Sequence, residues 1–196
     1  MQFLQQSSKE LFVRVNDQRF EDLDSLYTFC LDNQDDSVEH RLVPADAFPI
    51  FHDHRLKLKI TGNRAFDFNH WSFEQACSIA KLKKANLNRL DAESAERCLM
   101  AKLPYGSKPI QILTRGETVR AINRTGYSRL FDADLLGVVI DEADWFDSPP
   151  RGFADAWGLY AGEQDMFAFL TDRKTLVEVG DEAFSPGFFV WNSEVG

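Results

Sequence analysis

Residues 54–60, HRLKLKI, alternate without interruption: Leu56, Leu58 and Ile60 fall on one side of an extended chain, and Arg55, Lys57 and Lys59 on the other. Successive side chains of a strand point to opposite faces, so this pattern fits a half-buried strand and no helix. It demands a sheet with one apolar face and one cationic face. Thr61-Gly62-Asn63 reads as a turn, and RAFDF behind it is expected to pair back as a hairpin.

The rest of the chain organises around that strand. ELFVRVN, residues 10–16, alternates well enough for another strand, and the polar DNQDDSVEH at 32–40 reads as an acidic loop. Ser72 followed by Gln75 is a capping-box pattern, and Phe73, Ala76, Cys77 and Ala80 give a helical stripe running to about Lys84. Asp91 is expected to cap a second helix through Ala95, Cys98, Leu99 and Leu103, which Pro104 ends. Ile110 and Ile112, then Val119 and Ile122, flank Arg115-Gly116 as a tight hairpin, and Asp132 is expected to cap a short helix, ADLLGVVIDEA. AWGLYAGEQDMFAFLTD predicts a further hairpin turning near Gly162 and Glu163, and FFVW, residues 188–191, a buried strand. The fold class that follows is α+β: antiparallel β hairpins forming a curved sheet, with a helical pair inserted. At 196 residues the chain supports one good core, so a single domain is expected, with the prolines of DSPPRGF, 147–153, as its best internal boundary.

Charge narrows the function classes. The net charge of −9 argues against a surface that binds polyanions all over. Yet roughly fifteen Lys or Arg stand against six Asp or Glu between Arg55 and Arg129, about +9, leaving about −18 for the flanks. The N-terminus has neither a basic nor an apolar leader region and apolar runs are short, so a cytoplasmic protein with no membrane partner is expected. Cys30, Cys77 and Cys98 lack CxxC or CxxH spacing and read as reduced packing thiols.

Arg115, Arg120, Arg124 and Arg129, interleaved with Tyr127, have the composition for phosphate contact and base stacking on a nucleic acid. The same arginines can equally pair with acidic surface of their own fold. Arg55, Lys57 and Lys59, together with Lys83 and Lys84 of the basic stretch 81–89, extend the candidate set. His52 and His54 would face one way on a strand with Asp53 opposite, and His70 or His40 would have to complete a metal site; no fixed-spacing carboxylate does so, and no metal or other cofactor is expected. Asp35-Asp36, Asp141-Glu142 and Asp181-Glu182 are adjacent residues that point apart, as in solvated loops and helix ends. GxSxG, Walker A and GxGxxG stretches are absent, and no catalytic residue is assigned.

Three stretches resemble a family associated with phage and plasmid genomes, domain of unknown function 932. They are SFEQACSIAKLKKANLNRLDAESAERCLMAKLP, LTRGETVRAINRTGYSRLFDADLLGVV and GFFVWNSEVG, in that family's order. By that resemblance Arg120, Tyr127, Arg129, Asp132, Asn192, Ser193, Glu194 and Gly196 are signature positions, and the chain is similar to the family's N-terminal portion, which in its members continues past NSEVG. The family's genomic setting implies DNA transactions. The leading expectation is a non-enzymatic protein of a mobile element that holds single-stranded DNA by backbone charge, with Tyr127 or Trp71 as stacking platforms. The alternatives are an interaction module whose acidic flanks meet a basic protein partner, with self-association through FFVW, and a metal-dependent hydrolase built on His52 and His54.

Overall fold

The computed structural model describes residues 19–102, 109–149, 158–172 and 174–196. The chain divides into two compact units, one holding 19–35 and Leu130–Glu194 among the described residues, the other Asp36–Arg129 and Val195–Gly196. The charge asymmetry follows this division. The second unit carries 16 Lys or Arg against 10 Asp or Glu, a net +6, and the remainder of the chain 6 against 21, a net −15. We call them the basic and the acidic unit.

The basic unit is a six-stranded sheet in the order β1-β5-β6-β4-β3-β2, formed by β1 (Ser37–Leu42), β2 (Ala47–His52), β3 (Arg55–Ile60), β4 (Ala65–Phe68), β5 (Ile110–Arg115) and β6 (Thr118–Arg124). The expected hairpins β3–β4 and β5–β6 form, and Gly62 and Gly116 supply the positive φ of their turns. One pairing departs from expectation. β4 and β6 run parallel, through Asp67↔Thr118 and Phe68↔Val119, so the sheet is mixed. The helices inserted after β4 provide the long crossover that parallel neighbours need.

Those helices are α2 (His70–Ile79), α3 (Lys84–Leu87) and α4 (Ala92–Lys102). Asn69, not Ser72, caps α2: its side chain accepts from the Ser72 amide at 2.7 Å while Ser72 Oγ accepts from the Asn69 amide at 3.1 Å. The stripe to Lys84 is broken into two helices because Ala80 ends α2 and Lys81 takes a positive φ. Asp91 caps α4 as expected, accepting from Ser94 N at 2.9 Å. Ala76 and Ile79 pack on Leu58, Ile60, Phe66 and Ile112, while Ala95 and Leu99 enclose Cys77 and Leu87 beside Leu56. Leu56, Leu58 and Ile60 therefore face the helices, and Arg55, Lys57 and Lys59 project from the opposite face.

In the acidic unit, α1 (Leu23–Asp35) and α5 (Asp132–Glu142) pack against a sheet of β7 (Phe146–Asp147), β8 (Leu159–Ala161), β9 (Met166–Asp172) and β12 (Gly187–Asn192). Leu26, Cys30 and Leu136 meet Leu159, Met166 and Leu170 at its centre. The hairpin of β8 and β9 turns where expected, with Gly162 N donating to Asp165 O at 2.9 Å. A small hairpin, β10 (Val177–Val179) and β11 (Glu182–Phe184), precedes β12. Both units mix helices with sheet, and the fold is α+β.

Four local readings are corrected. Residues 32–40 are not a loop, because α1 runs to Asp35 and β1 starts at Ser37, where it gains β5 as a partner. Phe131 is the N-cap of α5, and Asp132 is its first residue. FFVW is half-buried: Phe188 and Val190 pack inward while Phe189 and Trp191 stay 44% and 49% exposed, since β12 pairs with β9 along one edge. Cys30 and Cys77 are buried, but Cys98 lies on the exposed side of α4. The strand expected over 10–16 and residues 150–153 of the expected boundary lie outside the described residues. No helix among the described residues is long and apolar enough to cross a membrane.

Candidate nucleic-acid interface

Ion pairing sorts the basic candidates. Lys57 Nζ lies 3.3 Å from Asp67 Oδ2 on the neighbouring strand, Lys84 Nζ 3.3 Å from Glu74 Oε2, Arg115 Nε 3.7 Å from Asp36 Oδ2 and Arg129 Nε 3.7 Å from Glu39 Oε1. Arg120 is only 7% exposed. The β5–β6 register shifts between Leu113 and Thr114, so Arg120 is the extra residue of a bulge and leaves the alternation that would have turned it outward. The Arg129 side chain is 3% exposed and its guanidinium lies 5.5 Å from the centre of the Tyr127 ring. Arg120, Arg129 and Tyr127 are thus built into the fold, and Arg115 answers an acid of its own unit, as the pairing alternative expects.

Arg55, Lys59, Lys83 and Arg124 are different. No acidic partner within salt-bridge distance is found for them among the described residues, and Lys81 and Arg89, on either side of α3, share that property. They do not form one face. Arg55 and Lys59 stand on the side of the sheet away from the helices, whereas Lys84 reaches His70 and Glu74 of α2, placing the 81–89 stretch on the helical side.

The signature positions occupy two places. In the acidic unit, Asn192 Nδ2 donates to Leu130 O at 2.9 Å and to Asp132 Oδ1 at 2.7 Å. Ser193 Oγ donates to Gln164 O at 2.7 Å. The buried Glu194 carboxylate accepts from the Asp132 amide at 3.2 Å, meeting the first turn of α5, where helix N–H groups lack intrahelical acceptors. In the basic unit, the Val195 carbonyl accepts from Gln75 Nε2 at 2.8 Å, Asn123 Nδ2 at 3.1 Å and Trp71 Nε1 at 3.4 Å. Gln75 Oε1 also accepts from Ile122 N at 2.7 Å, so one side chain ties α2, β6 and Val195 together. Gly196 takes φ +89°, and a Cβ there would lie 2.8 Å from Asn123 Nδ2 and 3.2 Å from the Tyr127 ring. Sequence reasoning missed Asn123, and it assigned Gln75 to a cap that Asn69 and Ser72 make; no local signal marks either role. Trp71, offered as a stacking platform, is half-buried with its indole N–H engaged.

The histidines are dispersed. Asp53 and His54, with φ 50° and 60°, form the two-residue turn between β2 and β3, so HDH is not a strand presenting both imidazoles to one side. Among the described residues no group of three or more His, Cys, Asp or Glu is placed to hold a metal ion. Burial raises the Cys77 thiol pKa against a smaller opposing pull from Lys84, which keeps this sulfur protonated.

His40 Nε2 lies 3.0 Å from Thr114 Oγ1, whose hydroxyl donates to Val38 O at 3.3 Å, so the imidazole proton sits on Nε2. Burial lowers the His40 pKa below its ordinary value. Protonation then favours the unfolded chain, and the stability held above the unfolded pKa, about 6.5, is lost as pH falls toward the folded value. The urea midpoint is expected to drop between pH 7 and pH 5, with a smaller drop in His40→Gln; equal drops in both proteins would remove His40 as a cause.

Comparisons of the chain with protein families, with curated proteins and with solved structures found no match.

Proposed function

We propose that this chain is a non-enzymatic, cytosolic protein that holds single-stranded nucleic acid through its basic unit. The observation that carries the reading is the segregation of charge: +6 gathered in one compact unit of a chain whose total is −9. Within that unit Lys81, Lys83 and Arg89 bracket one four-residue helix on exposed backbone, without acidic partners among the described residues. Clustered cations of this kind suit successive phosphates of a flexible strand. The resemblance to phage- and plasmid-associated proteins supports the reading by analogy alone.

Fluorescence anisotropy with a labelled oligodeoxythymidine at about 50 and about 200 mM salt tests it, since each phosphate contact on a single strand contributes about −0.7 to the slope of log K against log salt. The double variant Lys83→Glu/Arg89→Glu is expected to weaken binding at least about tenfold and flatten that slope by about 1.4, two contacts' worth. Arg55→Glu/Lys59→Glu, on the other face of the sheet, is expected to change both far less. Undetectable binding of the wild-type chain at the lower salt would instead favour the interaction module, for which the exposed Phe189 and Trp191 on an edge strand of the acidic unit are the specific observation.

A further inference from the structure

Beside the 81–89 stretch the basic unit has a cleft of about 430 Å³, within the range of small-ligand sites. Phe68 and Phe73, half-buried and edge-to-face with ring centres 5.8 Å apart, line it together with Leu56, Leu87 and Leu90. These walls offer an apolar, partly aromatic bed to a flat ring. The polar groups lie together on one side. Lys84 Nζ is held 2.7 Å from His70 Nε2 and 3.1 Å from His70 O, besides its pairing with Glu74. These contacts to His70 and Glu74 hold the lysine head group on that side of the cleft. Asn88, exposed, adds an amide with both donor and acceptor to the lining, as a base edge requires. Lys83 and Arg89, the exposed cations of the proposed interface, directly adjoin the lining residues Lys84 and Asn88 in the chain.

We propose that this cleft takes one unstacked nucleotide of a single strand, its base against Phe68, Phe73 and Leu90 and its flanking phosphates at Lys83 and Arg89. This rests on the nucleic-acid reading above and adds the element that charge alone lacks. A cationic surface grips the backbone, whereas a cleft with an apolar bed and a basic rim selects a strand whose bases are free to leave the stack. A duplex, with its bases paired, has no group to place there.

Ala92→Trp separates the two ideas. Ala92 lines the cleft from the first turn of α4 and is half-buried, so an indole there fills the space while leaving every charge in place. With the full chain and a labelled oligodeoxythymidine of about 15 nucleotides, A92W is expected to bind about tenfold more weakly, the scale of one lost base contact, with the salt slope unchanged. Should A92W not fold, as judged by circular dichroism and its urea midpoint, Leu90→Ser at the exposed rim of the cleft makes the same test by removing part of the apolar bed without altering any charge. Wild-type-like affinity in a folded cleft variant, with wild type binding, would overturn the cleft and leave the basic interface standing. No wild-type binding at low salt would overturn both. Thymidine 5′-monophosphate at millimolar concentration is expected not to displace the strand; displacement would assign the cleft to free nucleotides and overturn the strand as its occupant.

Discussion

Gln75→Leu is expected to lower the unfolding free energy by about 2–3 kcal/mol, because it strands one buried backbone group and weakens the satisfaction of another. β4 pairs with β6 only as far as Val119, and beyond that point the edge of β6 is continued by the Gln75 side chain, which accepts from the Ile122 amide. Leucine has nearly the same volume and no acceptor, so the Ile122 N–H remains desolvated without a partner, a loss of about 1–3 kcal/mol. The Val195 carbonyl loses one donor of three and keeps Asn123 and Trp71, so its share falls at the low end of the range. Urea denaturation reads the sum as a shifted midpoint with an unchanged m value. A loss under about 0.5 kcal/mol would mean that water replaces the amide, and that Gln75 is a contact and not a tie.

Leu26→Ala should cost more, about 3–5 kcal/mol, at the upper end of buried leucine truncations. Leu26 is fully enclosed in α1, in the cluster that also holds Leu136, Leu159 and Met166, and elements on every side leave little room for collapse into the cavity. Leu26→Met, which conserves volume, should cost under about 1.5 kcal/mol. Similar losses for the two variants would show that the site tolerates neither shape nor size change, and that the cavity is not the cause.

The parts of this fold that were legible are those specified by neighbours in the chain. β3 announces itself by strict alternation, the Asp91 cap and the Arg115-Gly116 turn by residue type, and the hairpins by the spacing of apolar runs. α1 was missed: Leu23, Leu26, Tyr27, Cys30 and Leu31 recur at helical spacing, but the acidic residues that follow drew a charge-led reading toward a loop. The candidate site was legible in composition and not in geometry. Alternation places Arg120 outward, but a single inserted residue in β6 reverses that, and a bulge has no signature in the local pattern. The burial of Arg129 and the role of Gln75 depend on partners 90 and 120 positions away, Glu39 and Val195. Such pairings are decided by packing, after the elements exist.

The basic unit, apart from its last two residues, is an insertion of about ninety residues between α1 and α5 of the acidic unit. Left unfolded, that insertion is a loop whose closure must be met before Leu26 can reach Leu136, and its entropic cost grows as the logarithm of its length. Its two ends are neighbours once the basic unit forms, as the Arg129–Glu39 ion pair shows. Prior folding of the sheet therefore replaces a closure over about ninety residues by one over a handful, lowering the entropic barrier to the second core by about 2–3 kcal/mol. The basic unit's own contacts are the more local in sequence, and ribosomal synthesis completes nearly all of it before β9 and β12 exist. Contact order and order of synthesis thus favour the same sequence of events, in which the basic unit folds first and the acidic core forms once the intervening loop is already drawn shut.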